Sequence, residues 1–196
     1  MFEYILNFDR NVIEYERKGD WKRAAEHSYH QWRISPEDLN KLLCAGTELW
    51  YSRLKQDHYE HSPIKEYEMI FCNADQVETM LWDVTMYGER CFSQNASFNA
   101  YFGYMYQAMP YYFLGCGENI NDWRQYGQDM MRRSQVLDPS NMFATAMAYE
   151  MDSLSILYHE ACGRLWEQIT PEQWGVSAVQ KYFFRILHGE SFTKRQ

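Results

Sequence analysis

His27 and His30, and again His58 and His61, stand three residues apart, a spacing that puts two imidazoles on one face of a helix and would let them share a divalent cation. Asp57 and Glu60 flank the second pair and could add oxygen ligands. The spacing fixes no third ligand for either pair, and such clusters in an acidic chain are ordinarily solvated, so no metal is expected. His159-Glu160 opens the zinc-protease sequence H-E-x-x-H, but Gly163 takes the place of the second histidine and the motif fails. Five cysteines, Cys44, Cys72, Cys91, Cys116 and Cys162, are an odd number without a C-x-x-C pair. They read as reduced thiols packed as small hydrophobes, not as a disulfide framework, a zinc site or a nucleophile. No G-x-S-x-G elbow, phosphate-binding glycine loop or dinucleotide fingerprint is present. Carboxylates such as Asp83 and Glu89 carry no acid–base assignment without geometry. These residues lead to the expectation of a protein that is not an enzyme and carries no cofactor.

The elements that would position any site are helical. Leu39, Leu42, Leu43, Gly46, Leu49, Trp50 and Leu54 fall in steps of three and four, as do Val176, Val179, Phe183, Ile186 and Leu187 ahead of Gly189. Alternating, strand-like runs are missing. Four prolines follow a capping residue, in Ser35-Pro36, Ser62-Pro63, Asp138-Pro139 and Thr170-Pro171, and each pair predicts a helix start because proline at the first helical position gives up a donor that would be unpaired anyway. The predicted helices span about 2–18, 20–33, 36–55, 63–71, 74–90, 96–114, 121–136, 140–161 and 171–187. Pro110 lies inside the sixth and should kink or break it. The fold expected is all-α, antiparallel helix pairs in one domain over residues 1–196. Cys91 to Gly117 carries no charge, but Ser93, Gln94, Asn95, Ser97, Asn99, Gln107 and Pro110 interrupt it and its bulk is Tyr, so no membrane span is expected.

Charge and aromatic content bear on partners. With 27 acidic and 19 basic residues the chain has a formal charge of -8, which works against direct binding of nucleic acid and favours a basic protein partner. Its aromatic share is 17%, with 16 Tyr and 7 Trp, rings suited either to helix interfaces or to contact with a partner. Phe98, Tyr101, Phe102, Tyr104, Met105, Tyr106, Tyr111, Tyr112 and Phe113 make a segment apolar nearly all round. That pattern belongs to a central buried helix, or else lines a small-molecule groove with tyrosines.

The stretch Tyr15-Glu-Arg-Lys-Gly19-Asp20-Trp21-Lys-Arg-Ala24, closed by Pro36, puts a glycine at a reversal, an aspartate where it can cap the next helix, an aromatic over the corner and a small residue where two helices meet. It resembles the tetratricopeptide repeat, a helix–turn–helix unit of about 34 residues. Ala45-Gly46 and Leu49 continue the resemblance into the next helix, giving units at about 5–56, and Leu114-Gly115, Gly127, Met131 and Ser134 ahead of Pro139 give another at about 108–141. Asn11-Val12 replaces the family's Leu-Gly pair, Glu118 replaces an aromatic, and 57–95 and 140–196 show no repeat, so the likeness is to a degenerate member. It implies that the first helix of each unit lines a concave face, where Thr47, Trp50 and Tyr51 would meet a partner. Trp50 also falls on the apolar stripe, which leaves Tyr51 the better of the two rings. Asp57, Glu60, Tyr104 and Tyr112 complete the expected partner-binding set. A small, acidic, helical protein of this kind is similar to the immunity proteins that neutralise antibacterial toxins, many of them basic nucleases, which implies a cytoplasmic inhibitor of a basic toxin domain. A secretion or assembly chaperone is the neighbouring reading, and an enzyme or receptor with a tyrosine-lined pocket is the rival from another class.

Overall fold

The computed structural model describes residues 5–61, 69–116, 120, 122–149, 156–168 and 175–187. They form nine α-helices and no strand: α1 Arg10–Arg17, α2 Trp21–Ile34, α3 Leu39–His61, α4 Ala74–Phe92, α5 Ala96–Ala108, α6 Trp123–Leu137, α7 Met142–Tyr149, α8 Ile156–Gln168 and α9 Ala178–Leu187, with a 3-10 turn at Pro110–Phe113. The all-α class is as expected.

The α1–α2 corner is built as its residues predict. Gly19 takes φ +70°, a conformation that a side chain would strain. The Asp20 carboxylate accepts from the Arg23 N–H at 3.1 Å and caps α2. Trp21 folds over the corner onto Tyr51, ring centroids 5.7 Å apart, and Ala24 is fully buried.

Proline marks the approach to a helix here rather than its first turn. After Ser35-Pro36 the cap of α3 is Asp38, whose carboxylate accepts from the Lys41 N–H at 3.2 Å, and after Asp138-Pro139 the cap of α7 is Asn141, which accepts from the Ala144 N–H at 2.8 Å. In both places the turn is followed three residues on by a better-placed acceptor. Ser62-Pro63 and Thr170-Pro171 lie outside the described residues. α1 begins at Arg10 because Asp9 caps it, accepting from the Asn11 N–H at 2.8 Å. α9 begins only after Gly175, at φ +111°, and Ser177, whose hydroxyl accepts from the Gln180 N–H at 3.1 Å while Gln180 accepts from the Ser177 N–H at 2.9 Å. That reciprocal pair is a capping box.

Two further expectations are corrected. The helix expected over 63–71 does not extend through its last residues: Ile70 is extended and bridges the α1–α2 corner, donating to Gly19 O at 3.0 Å and accepting from the Lys22 N–H at 2.9 Å. The single helix expected over 140–161 is two, since α7 and α8 pack against each other, which successive parts of one straight helix could not do. Pro110 does break its helix, ending α5 at Ala108.

Neighbours in sequence are neighbours in space: α1 packs on α2, α2 on α3, α3 on α4, α5 on α6 and α7 on α8. α5 is the centre, touching α3, α4, α6 and α7. Its approach to α6 is close because Gly103 and Gly127 face each other; a Cβ on Gly103 would sit 2.8 Å from the Gly127 carbonyl. Ser134, deeper along α6, donates to Ala96 O at 2.7 Å. The unit expected at 108–141 therefore lacks its first helix: 110–113 is a 3-10 turn, Leu114 is exposed, and α6 pairs with α5 instead.

Candidate functional site

α3 is the axis of the site. Everything from Leu42 to Ser52 is buried, on all sides of the helix, because α2, α4, α5 and α9 each cover part of it. Over Trp50 and Tyr51 lies α9. The Tyr182 ring stands 5.4 Å from Trp50 and 5.2 Å from Tyr51, Phe183 is stacked on Trp50 at 6.4 Å and meets Tyr101 at 5.1 Å, and the hydroxyls of Tyr104 and Tyr182 are 3.0 Å apart. A face that an open repeat array would leave to a partner is here occupied by the chain's own helix.

This burial corrects the expected contact surface. Trp50 and Thr47 are 0% exposed, Tyr112 1%, Tyr104 5% and Tyr51 7%. The Thr47 hydroxyl donates to Leu43 O at 2.7 Å, a bond inside its own helix. The aromatic segment of α5 takes the central, buried role, its tyrosines spent on ring contacts and internal hydrogen bonds. Tyr106, for example, sits between Phe113, 4.6 Å away, and Trp123, 4.8 Å away, and donates to Glu89 at 3.0 Å. Tyr126 donates to the other Glu89 oxygen at 2.9 Å. Burial pushes the Glu89 carboxyl up, and the two phenols that donate to it work in the opposite direction.

Asp57 and Glu60 remain at the surface, at the C-terminal end of α3. Asp57 accepts from Tyr112 OH at 2.6 Å and pairs with Arg53, whose Nε reaches Glu78 of α4 at 3.2 Å and whose guanidinium lies 5.3 Å over the Tyr112 ring. Trp82 of α4 donates to Tyr112 O at 2.8 Å. This network fixes the 3-10 turn to the end of α3, and the turn carries outward Tyr111, 52% exposed and 4.6 Å from the Tyr112 ring, followed by Leu114, 72% exposed. The turn that carries these two exposed apolar side chains is thus tied to a guanidinium held between two carboxylates, while Glu60, three residues beyond Asp57, accepts from Gln56 at 2.9 Å. Sequence reasoning named Asp57, Glu60 and Tyr112 here but missed Tyr111 and Leu114, because only the 3-10 geometry turns neighbouring residues to opposite sides.

Elsewhere the surface is charge-balanced. Of 27 acidic residues nine have side chains outside the described set and two, Glu16 and Glu48, are buried; of 19 basic residues three are outside it, which leaves sixteen of each sign. The formal charge of -8 therefore comes from the two buried acids and from residues outside the described set.

The five described histidines do not converge. His27 Nε2 lies 3.2 Å from Asp9, His61 Nδ1 lies 2.7 Å from Asp57 O, His30, His58 and His159 are exposed, and no group of three or more metal-ligating side chains gathers among the described residues. Cys44, Cys72, Cys116 and Cys162 are buried free thiols, and Cys91 is exposed. A polar cleft of about 320 Å³ lies between α1, α2 and α3, with Asn7, Asp9, Ser28, Asn40 and Lys41 on its walls. Its polar groups largely serve each other: Asn7 and Asn40 exchange two hydrogen bonds, at 3.1 and 3.2 Å, and the Lys41 ammonium donates to Ser35 at 2.9 Å. No helix among the described residues is long and apolar enough to cross a membrane.

No family model, curated protein or solved structure matches the chain.

Proposed function

We propose that the chain is a non-enzymatic protein-binding domain that grips a basic protein through the corner where α3 ends and the 3-10 turn begins. The observation that carries this reading is the exposure of Tyr111 and Leu114 on a turn that Tyr112 ties to the Asp57–Arg53–Glu78 cluster of α3 and α4. Apolar anchors supply the desolvated contact, and the surrounding carboxylates favour a cationic partner and speed encounter. The formal charge of -8 acts in the same direction over longer range. Within this class the reading is an immunity protein that neutralises a basic toxin domain, supported by size, charge and helical build.

The product of the adjacent gene is the partner to try first. Mixed with this protein at low salt it should form a complex that weakens as salt is raised, and a Leu114→Arg, Glu60→Lys double variant should bind at least tenfold more weakly while keeping the wild-type melting temperature, since both positions are exposed. A complex indifferent to both salt and the double variant would move the interface elsewhere.

A further inference from the structure

Two carboxyl groups lie inside the core with no cation between them among the described residues. Glu16 on α1 is buried and Glu48 on α3 is completely so. One oxygen of Glu16 accepts from the Ala178 N–H at 2.8 Å, at the first turn of α9, where the positive end of the helix dipole favours an anion. One oxygen of Glu48 accepts from Ser52 at 3.3 Å. Each carboxyl keeps one buried oxygen without a donor, Glu16 Oε1 and Glu48 Oε2, and the two side chains lie within hydrogen-bonding reach of each other. Two carboxylates cannot hydrogen-bond; a carboxylic acid and a carboxylate can.

The division of roles follows from the surroundings. Glu16 has the helix N-terminus to stabilise its charge: the N–H groups of Ala178 and Val179 and the Ser177 hydroxyl all act to lower a pKa that burial raises. Glu48 has only Ser52, and burial first, then the neighbouring Glu16 charge, push its carboxyl well above the usual range. Glu48 is therefore the acid and Glu16 the carboxylate. Other groups around the pair do not supply a counter-charge. Tyr51 stands within electrostatic range of both and of Arg185, with the Tyr182 ring of α9 5.2 Å from its own and the Lys55 ammonium 5.5 Å over its ring, and neither cation forms an ion pair with Glu16 or Glu48 among the described residues. α2 contributes the Trp21 ring, its charged and titratable groups lying toward the surface: Lys22 pairs with Glu26, Arg23 with Asp20 and Arg33 with Asp83, His27 sits against Asp9, and His30 is exposed. Glu78 of α4 is engaged with Arg53, and α5 contains no charged residue.

We propose that Glu16 and Glu48 hold a single proton that latches α9: with it the junction of α1, α3 and α9 is closed, and without it two buried carboxylates repel and the start of α9 lets go. Release would reach further, because Gln180 in the same first turn donates to Leu6 O at 2.6 Å and so ties down the segment ahead of α1. The sign follows from linkage. Glu48 titrates above its unfolded value of 4.5, so its contribution is complete below that pH and is lost as pH rises through the raised pKa.

Two measurements on the intact protein test the latch. The infrared carbonyl band of a protonated carboxylic acid should be present in the folded wild type at about pH 7 and missing from Glu48→Gln, whose amide can donate to Glu16 but cannot titrate. Hydrogen exchange, corrected for its intrinsic pH dependence, should show the protection of residues 178–187 falling about tenfold per pH unit above the latch pKa in the wild type and staying level in Glu48→Gln. No acid band at about pH 7, level protection of α9 in the wild type up to about pH 9, or the same pH dependence in Glu48→Gln would each overturn the proposal. Should Glu48→Gln not fold, the band and the wild-type exchange decide on their own.

Discussion

Tyr112 shows how one residue joins three elements. Its ring carries the Arg53 guanidinium, its hydroxyl donates to Asp57, and its carbonyl accepts from Trp82. Tyr112→Phe removes only the hydroxyl, so it should cost about 1–2 kcal/mol in chemical denaturation, the value of one hydrogen bond to a charged acceptor with that acceptor still paired to Arg53. Thiol chemistry offers a second check at this scale. Burial pushes the Cys72 thiol up to about 11 and the Cys116 thiol up to about 12, and it also raises Cys44 and Cys162, while Cys91 is exposed. Alkylation of the native protein near neutral pH should modify Cys91 alone, and all five thiols after unfolding; rapid reaction at any buried cysteine in the native state would contradict the packing described. Gly19, Asp20 and Trp21 could be assigned their roles from sequence because a corner is decided by adjacent residues. Glu48 could not, although it interrupts the apolar run from Leu42 to Trp50, because the fate of its carboxyl depends on α1 and α9, which are remote in the chain.

Among elements, the α5–α6 pair is the tightest and its tolerance is correspondingly low. A Cβ at Gly127 would run into the Gly103 carbonyl and the backbone of α5, so Gly127→Ala should lower stability by about 1–3 kcal/mol and the melting temperature with it. Gly163 on α8 has no neighbour among the described residues within 4 Å of such a Cβ, and Gly163→Ala should raise stability by up to about 1 kcal/mol through helix propensity alone. Thermal melts of the two variants should move in opposite directions. Helix existence was legible wherever apolar residues recur every three or four positions, and so was the break at Pro110. Helix starts were legible only to within a turn. Ser35-Pro36 and Asp138-Pro139 look like caps in isolation, yet Asp38 and Asn141 follow close behind, and the chain uses the later acceptor.

For the molecule as a whole, the decisive difference from an open array of helix pairs is that α9 folds back over α3. Phe183 reaches Trp50, Tyr101, Tyr104 and Phe143, rings from α3, α5 and α7, and is fully buried. Phe183→Ala should cost about 3–5 kcal/mol, and near-ultraviolet circular dichroism should lose aromatic intensity well beyond the share of one phenylalanine as the surrounding rings lose their fixed packing. The all-helical class was readable from periodicity. Which rings face solvent was not, since Tyr51 sits at a position that an open array would expose, and the return of a distant helix covers it.

That return has a consequence for the order of events during synthesis. Glu16 waits for Ala178, and Leu6 for Gln180. A growing polypeptide reaches these partners after almost all of the described helices have emerged, so the first of them must leave the ribosome with a carboxylate uncapped and Trp50 wet. The early portion is thus born unfinished, and it becomes a sealed body only when residues near 187 slide into place.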